Sequence, residues 1–302
     1  MNERIAPGPS ALATMATLCA IWGLQQVAVK VALAGIGPIL QVGLRSVFAA
    51  VLVFAWARWR GLRLFDADGT LKAGLVAGLL FALEFLCIFA GLEHTGASRM
   101  VIFLYTSPCF TVLGLHWFVP GERIGWRHGM GIALAFVGIL VAFGDGLAGG
   151  SWLGDGLGIL AAVFWAATTV IIRASALARV SAAKTLLYQL AVSALLTLPL
   201  SLLMGEAGAV APTTLVVLAM AYQALIVAFA SYLTWFWLLT RFLASRLMVF
   251  AFLTPLFGVL FGVVLLHERM SGLFGFAALL VVTGIVLVNV PEAPARRSEP
   301  AG

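Results

Sequence analysis

Long apolar segments alternate with short polar links along the chain, and the links hold most of the charged residues. A helix needs roughly 20 residues to cross the hydrocarbon core of a bilayer, and ten of the apolar segments approach that length. They predict membrane-spanning helices near 10–31, 37–57, 72–91, 98–118, 128–144, 154–173, 184–204, 214–239, 246–266 and 272–290.

The composition agrees with a membrane protein and excludes a water-soluble fold. Of the 302 residues, 63% are hydrophobic and 10% are charged, whereas an average soluble domain has about 45–50% apolar and roughly 25% charged residues. The net charge of +6 does not indicate nucleic-acid binding, because the basic residues lie in short links between apolar segments. These residues indicate instead how the helices are oriented.

The distribution of Lys and Arg predicts that both termini are cytoplasmic. Most of the 18 basic residues lie in links on the same side as the N terminus, and links rich in Lys and Arg are normally cytoplasmic. Only Lys30, Arg99 and Arg269 remain for the external side, while Arg45 lies within a span. The first apolar run is longer than that of a cleavable signal, so we interpret it as a retained span.

A Gly-rich link at 145–155 divides the predicted helices into five and five, and the two groups share a motif. Residues 97–108 and residues 244–255 both begin with Ala-Ser-Arg and end with proline. Because five is odd, a second copy of the unit crosses the membrane in the opposite direction. We expect a first repeat over 1–146, an inverted second repeat over 147–290 and a cytoplasmic tail over 291–302. Inverted repeats are typical of transporters that work by alternating access.

The order of these motifs resembles the EamA-type transporters of the drug/metabolite transporter superfamily over essentially the whole chain. The motifs are AIWG with Trp22, ASR at 97–99, Pro108, GER with Glu122, Trp165, ASR at 244–246, FLTP with Pro255 and HER with Glu268. The resemblance implies an all-α membrane protein of ten transmembrane helices in two inverted five-helix repeats. It further implies a multi-pass protein of the bacterial inner membrane that exports amino acids, related metabolites or drugs, without specifying one substrate.

Two ionisable residues lie well inside the predicted spans, and both are candidate substrate-binding residues. An ionisable group at mid-span costs roughly 2.5–3.5 kcal/mol on insertion scales, so it normally faces a cavity or a partner. Glu84 could recognise an amine or exchange a proton, because desolvation favours a protonated carboxylate. Arg45 could bind a substrate carboxylate through two hydrogen bonds. Pairing between helices is the alternative for each. Gln189 is the counterpart of Arg45 in the second repeat.

The first and sixth spans each carry a polar stripe with the spacing i, i+4, i+8, which places its members on one helix face. The stripes consist of Trp22, Gln26 and Lys30, and of Trp165, Thr169 and Arg173. The two tryptophans, with Gln26 and Thr169, are candidates for a cavity that binds a zwitterionic or aromatic solute. Core packing is the alternative for the indoles, and the two basic residues are expected to anchor the helix ends.

Tyr105 and Gln223 are further candidates for the substrate cavity. Tyr105 precedes Pro108 by three residues and shares its helix face, and proline can kink a helix. Gln223 must satisfy its amide group without water, either in a cavity or through an interhelical hydrogen bond. Glu122 and Glu268 precede the last span of each repeat, and we interpret them as structural residues that cap a helix N terminus or shape the loop.

The motifs expected of an enzyme are missing from the sequence. The three cysteines lie in apolar segments without CxxC spacing, and no HExxH, GxSxG or Walker A sequence occurs. No cofactor or metal is expected. The predicted function is secondary transport that exports an amino acid or related metabolite, with a proton as the candidate coupling ion. The alternatives are a multidrug or cationic drug exporter and a lipid-handling or scaffold membrane protein. The oligomeric state is left open.

Overall fold

A computed structural model describes residues 8–118, 125–144, 151–241 and 253–289, and every regular element within them is helical. Two short 3₁₀ helices occupy Ala176–Arg179 and Glu206–Ala209, and a π-helix occupies Tyr222–Ser231. The α-helices are α1 (Pro9–Ala32), α2 (Pro38–Trp59), α3 (Leu71–His94), α4 (Ala97–Leu104), α5 (Ser107–Phe118), α6 (Trp126–Gly144), α7 (Trp152–Ala174), α8 (Ala182–Leu203), α9 (Thr214–Ala221), α10 (Tyr232–Arg241), α11 (Leu253–Leu266) and α12 (Gly272–Asn289).

The residues at the helix starts explain where several helices begin. Pro9 and Pro38 open α1 and α2, where a missing N–H costs nothing because first-turn N–H groups have no partner within the helix. The side-chain oxygens of Ser151, Ser181 and Thr213 each accept a hydrogen bond from the N–H three residues later. These bonds satisfy N–H groups at the starts of α7, α8 and α9.

Two of the predicted spans are irregular helices. The span predicted at 98–118 is divided into α4 and α5, and the Thr106 hydroxyl at the division donates to the Phe103 carbonyl at 2.6 Å. Pro108 lies two residues further on, and proline has no backbone N–H with which to donate the hydrogen bond of a regular helix. The span predicted at 214–239 contains α9, the π-helix and α10. π-Helical turns occur frequently at functional sites, so the side chains beside the π-helix are candidates for a functional site.

The first group of helices packs against the second group along the length of the bundle. α1 packs on α11, α2 on α8, α3 on α7 and α6 on α12. Glycines allow the close approach of α6 and α12: a Cβ on Gly131 would lie 2.7 Å from the Gly284 carbonyl, and one on Gly138 would lie 2.9 Å from the Ala277 carbonyl. These two contacts show that α6 and α12 run antiparallel.

The surface of the bundle is suited to lipid. Eight helical segments are long and apolar enough to cross a membrane, and α11 and α12 are apolar but shorter within the described residues. Large apolar side chains remain exposed on different helices, for example Leu140, Leu195 and Leu279 at 71%, 74% and 62%. The protein is therefore a multi-pass integral membrane protein. Because the chain preceding α11 lies outside the described residues, the count of ten spans stays a prediction.

Candidate functional site

Arg45 is buried in the first half of α2, with only 1% of its surface exposed. Its guanidinium carbon lies 3.8 Å from the centre of the Phe85 ring, and Nη2 donates a hydrogen bond to the Tyr232 hydroxyl at 3.3 Å. Nε has no hydrogen-bond partner among the described residues. A guanidinium has five N–H donors, so Arg45 retains donors that a bound anion could use.

Glu84 lies on α3 and is the opposite charge of the same site. Its side chain is buried, and it interacts electrostatically with Arg45. Within the described ranges, no hydrogen bond or ion pair joins Glu84 to another residue. The structure thus brings together the two charges predicted from the sequence but does not join them in a direct salt bridge.

Two predicted aromatic residues adjoin this pair of charges. Tyr105, at the break between α4 and α5, interacts electrostatically with Glu84 and with Tyr232. The Tyr105 ring meets the Trp165 ring of α7 edge to face, with ring centres 5.3 Å apart. We call Arg45, Glu84, Phe85, Tyr105 and Tyr232 the Arg45 cluster. The sequence did not single out Tyr232, because its only signal was a mid-span position.

Trp22 reaches the neighbourhood of the Arg45 cluster through the π-helix. Its indole N–H donates to the Ser231 hydroxyl at 2.9 Å, and its ring lies edge to face with Trp235, with centres 5.9 Å apart. Ser231 ends the π-helix and directly precedes Tyr232. The Trp22 side chain therefore bonds to the residue next to the one that holds Arg45.

The predicted glutamines of α1 and the π-helix are both buried, and Gln223 forms hydrogen bonds to two other helices. Gln223 Nε2 donates to the Ala28 carbonyl and to Gln41 Oε1, both at 3.4 Å. Gln26 is buried, and its Oε1 has no partner among the described residues. Gln223 thus makes the interhelical hydrogen bond that was one of its two predicted roles, and Gln41 is a partner that the sequence reasoning missed.

Thr169 and Gln189 are not joined to the Arg45 cluster by any hydrogen bond or ion pair within the part of the chain that the structure describes. The Thr169 hydroxyl donates to the Trp165 carbonyl at 3.0 Å, within α7. Gln189 is buried on the α8 helix. One turn later on α8, Ser193 shares a hydrogen bond with Ser46 of α2 at 3.1 Å. Gln189 therefore belongs to the helix that packs on α2, and its role as a lining residue stays a prediction.

A third group of polar residues lies at one end of the bundle. Arg99 donates to both carboxylate oxygens of Asp155, and the two side chains are 4% and 0% exposed. Asp155 also accepts from the Thr95 hydroxyl at 2.7 Å. Arg99 was predicted as an external residue and Asp155 as part of an external link, so the sequence reasoning missed this buried pair. The only feature of the sequence that indicated this pair was the acidic residue Asp155 in the first turn of α7.

Lys30 and Glu268 also belong to this end of the bundle. Lys30 donates to the Thr95 carbonyl at 2.5 Å and lies 4.0 Å from the Glu268 carboxylate, so it makes specific contacts in addition to ending α1. Glu268 accepts from two backbone N–H groups of α4, as expected of a capping residue. The corresponding prediction for Glu122 lies outside the described residues, as does most of the motif at 244–255.

The comparisons with known proteins identify a family of transporters. The model of the EamA-like transporter family matches residues 9–144 and again residues 152–290. An uncharacterized transporter of Archaeoglobus fulgidus is 25% identical over 90% of this chain and 94% of its own length. A probable amino-acid metabolite efflux pump of Escherichia coli K12 is 26% identical over 88% of this chain and 90% of its own length.

A second protein with that name, from Salmonella typhimurium LT2, is 27% identical over 92% of this chain and 94% of its own length. One protein of known crystal structure is 24% identical and has a TM-score of 0.65, with 92% of this chain and 98% of that chain covered. At this identity the similarity supports the fold alone. The similarity to these relatives and to the solved structure extends over nearly the whole chain.

Proposed function

Because the chain belongs to the EamA-like transporter family, we propose that it exports a small organic solute, an amino acid or a related metabolite, across the bacterial inner membrane. Two relatives that cover most of the chain are named as probable amino-acid metabolite efflux pumps, which supports this class of solute. The family is one of transporters, which are not enzymes.

The observation that carries the proposal is the pair of buried charges in the Arg45 cluster. Arg45 has an unused Nε donor, and Glu84 has no direct partner in the described residues. Each charge inside a span costs roughly 2.5–3.5 kcal/mol on insertion scales, and such residues normally mark a substrate or ion pathway. In the proposed site, the guanidinium binds the carboxylate of the solute, and Glu84 binds its ammonium group. A zwitterion would thus compensate both charges at once.

The neighbouring aromatic residues would bind the rest of the solute. Phe85 fixes the guanidinium plane from one side, and Tyr105 with Trp165 presents ring edges and faces beside the charges. Such rings favour large neutral or aromatic side chains. Trp22, Gln26, Thr169, Gln189 and Gln223 complete the proposed lining of the pathway.

Alternating access between two inverted five-helix repeats, 1–146 and 147–290, is the proposed mechanism. The family model matches the chain twice. The helices α6 and α12, which occupy the same position in the two copies, run antiparallel, since Gly131 approaches Gly284 while Gly138 approaches Ala277. Helix packing also agrees with a symmetry between the two repeats, in which α7 is the counterpart of α1. α1 packs on α9 and the π-helix, and α7 packs on α3. Likewise, α1 packs on α11, and α7 packs on α4 and α5. These relations support ten helices with both termini on the same side of the membrane, and the distribution of Lys and Arg supports the cytoplasmic side.

Glu84 is the proposed site of proton coupling. Its buried carboxylate next to Arg45 would exchange a proton for the solute ammonium group, so that export of solute accompanies entry of a proton. A cationic drug is the second candidate solute, because Glu84 and the adjacent aromatic rings would also suit an aromatic cation.

Transport by the purified protein in proteoliposomes tests these proposals. A panel of labelled amino acids and cationic drugs is offered with and without an imposed pH gradient, to the parent protein and to Glu84→Gln. We expect accumulation of an amino acid above equilibrium that needs the gradient and is lost in Glu84→Gln. Equilibration without a gradient effect would refute proton coupling, and movement of drugs but of no amino acid would refute the leading solute class.

A further inference from the structure

We infer that Glu268 is the latch of an external gate, which holds α1 and α4 of the first repeat against the link between α11 and α12 of the second. This inference rests on the alternating access proposed above and names the contact that must open on one side. It concerns the end of the bundle at which Lys30, Thr95, Asp155 and Glu268 meet, which the charge distribution predicts to be external.

The Glu268 carboxylate occupies the start of α4. One of its oxygens accepts a hydrogen bond from the Ala97 N–H at 2.6 Å, and the other accepts from the Ser98 N–H at 2.9 Å. These N–H groups belong to the first turn and have no partner within their own helix. The partial positive charge of a helix N terminus favours a carboxylate. Lys30 of α1 lies 4.0 Å away and adds a cation on the other side.

The local backbone is arranged around this carboxylate. A Cβ on Gly96 would lie 2.9 Å from Glu268 Oε1, and a Cβ on Gly262 would lie 2.6 Å from Oε2, so larger residues at either position would displace it. His267 has a φ of 53°, a left-handed conformation that is uncommon for a residue other than glycine. Two glycines and one left-handed residue therefore allow the Glu268 carboxylate to reach the start of α4.

The Glu268 contact differs from the other contacts at this end in its access to water. The Arg99–Asp155 pair is almost completely buried, and separating it would leave both charges in an apolar environment. The side chains of Glu268 and Lys30 are 16% and 34% exposed and line a pocket of about 90 Å³ together with Ser98 and Arg99. Water can therefore replace the partners of Glu268 when the halves separate, so this is the contact that can open and close.

Glu206 supplies a matched control for charge and helix capping. Its carboxylate accepts from the Ile39 N–H at 3.3 Å and from the Leu40 N–H at 2.7 Å, at the start of α2. It has no ion pair with Lys or Arg within the described residues. α2 packs along α8, the helix that ends just before Glu206. Glu206 therefore also joins the two repeats, but at α2, whereas Glu268 contacts α1 and α4, the helix that carries Ser98.

The test measures how fast an external reagent reaches α4. The three cysteines, all buried, are replaced by alanine, and Ser98→Cys is introduced as a reporter, because Ser98 is 2% exposed while its N–H holds Glu268. A membrane-impermeant maleimide is applied to either side of the membrane. Glu268→Gln keeps the shape of the side chain and weakens its charge-assisted bonds, so we expect external labelling to become about tenfold faster. Glu206→Gln should leave the labelling rate unchanged.

Two further variants keep the test decisive. Gly96→Ala retains the charge but displaces the carboxylate, and it should accelerate labelling as Glu268→Gln does. Lys30→Gln should act in the same direction with a smaller effect, and it replaces Glu268→Gln as the test if that variant does not fold. Unchanged labelling in a folded Glu268→Gln protein, equal acceleration by Glu206→Gln, or labelling only from the cytoplasmic side would overturn the inference.

The labelling assay separates this inference from the proposed function, because it needs no solute. Accelerated labelling in a protein that moves no amino acid would support the latch and refute the proposed solute class. Amino-acid transport with unchanged labelling would support the proposed function and refute the latch.

Discussion

Replacing Asp155 with alanine should destabilise the whole bundle, because it removes the carboxylate that compensates the buried charge of Arg99. Three hydrogen bonds of the Arg99 guanidinium end on Asp155, at 2.5, 3.1 and 3.2 Å. The Thr95 hydroxyl also loses its acceptor. Breaking a buried ion pair by removing one partner costs about 3–5 kcal/mol. A loss of this size lowers the melting temperature by on the order of 10 °C.

The buried cysteines provide the assay for this prediction. Cys19, Cys87 and Cys109 are all free thiols in the interior, so a thiol-reactive dye reports unfolding in detergent as the temperature rises. Glu93→Ala is the control, because Glu93 is an exposed carboxylate at the C-terminal end of α3, close in sequence to Thr95, which bonds to Asp155. If Asp155→Ala and Glu93→Ala melt within about 2 °C of each other, our account of the buried pair is wrong.

A double variant distinguishes loss of charge compensation from loss of packing. Replacing both members of a buried ion pair with apolar residues of similar volume is often neutral or stabilising. We therefore expect Arg99→Met combined with Asp155→Leu to recover most of the stability lost in Asp155→Ala. A double variant that melts below Asp155→Ala would show that the hydrogen bonds, rather than the charge, dominate.

Three further predictions follow from other contacts. The hydrogen bond from Lys184, followed by that from Thr70, lowers the pKa of Asp68 from 3.8 to about 2, so its contribution to stability is present above pH 4 and lost as the pH falls towards 2. Thermal unfolding of Asp68→Asn at several pH values should lack this part of the acid sensitivity. Tyr232→Phe removes the hydrogen bond to Arg45 and should raise the half-saturating solute concentration about tenfold; unchanged transport kinetics would contradict this. Gly23→Ala places a Cβ 2.7 Å from a backbone nitrogen of α11, whereas Gly129→Ala meets nothing within 4 Å. Gly23→Ala should therefore lower stability by about 1–3 kcal/mol and Gly129→Ala should not, as compared by melting in detergent.

The charged residues of the candidate site stand out in the sequence because few polar residues are tolerated inside apolar spans. Arg45 and Glu84 were identified as candidates on this ground alone, and the structure places them in one cluster with Tyr105. Trp165 was identified from its position on a helix stripe and packs on Tyr105. Such residues are conspicuous in a chain of which 63% is hydrophobic.

Partners that depend on the packing of distant helices could not be predicted. Tyr232, which bonds to Arg45, directly follows a π-helix, whose i→i+5 hydrogen bonds change the face that later residues of the span occupy. Asp155 pairs with Arg99 across 56 positions of sequence, and nothing local to either residue indicates the other. Glu268 caps a helix, one of the two structural roles expected of it, but its position in sequence did not show that the helix was α4 of the other repeat.

The dependence of transport on solute concentration in Arg45→Lys tests the central claim most directly, namely that the solute carboxylate binds the Arg45 guanidinium. Lysine keeps the positive charge but cannot form two parallel hydrogen bonds with a carboxylate. For the amino acid that the parent protein transports, we predict that the half-saturating concentration rises tenfold or more in a protein that folds normally. An unchanged half-saturating concentration would contradict the claim and would leave Arg45 a structural residue.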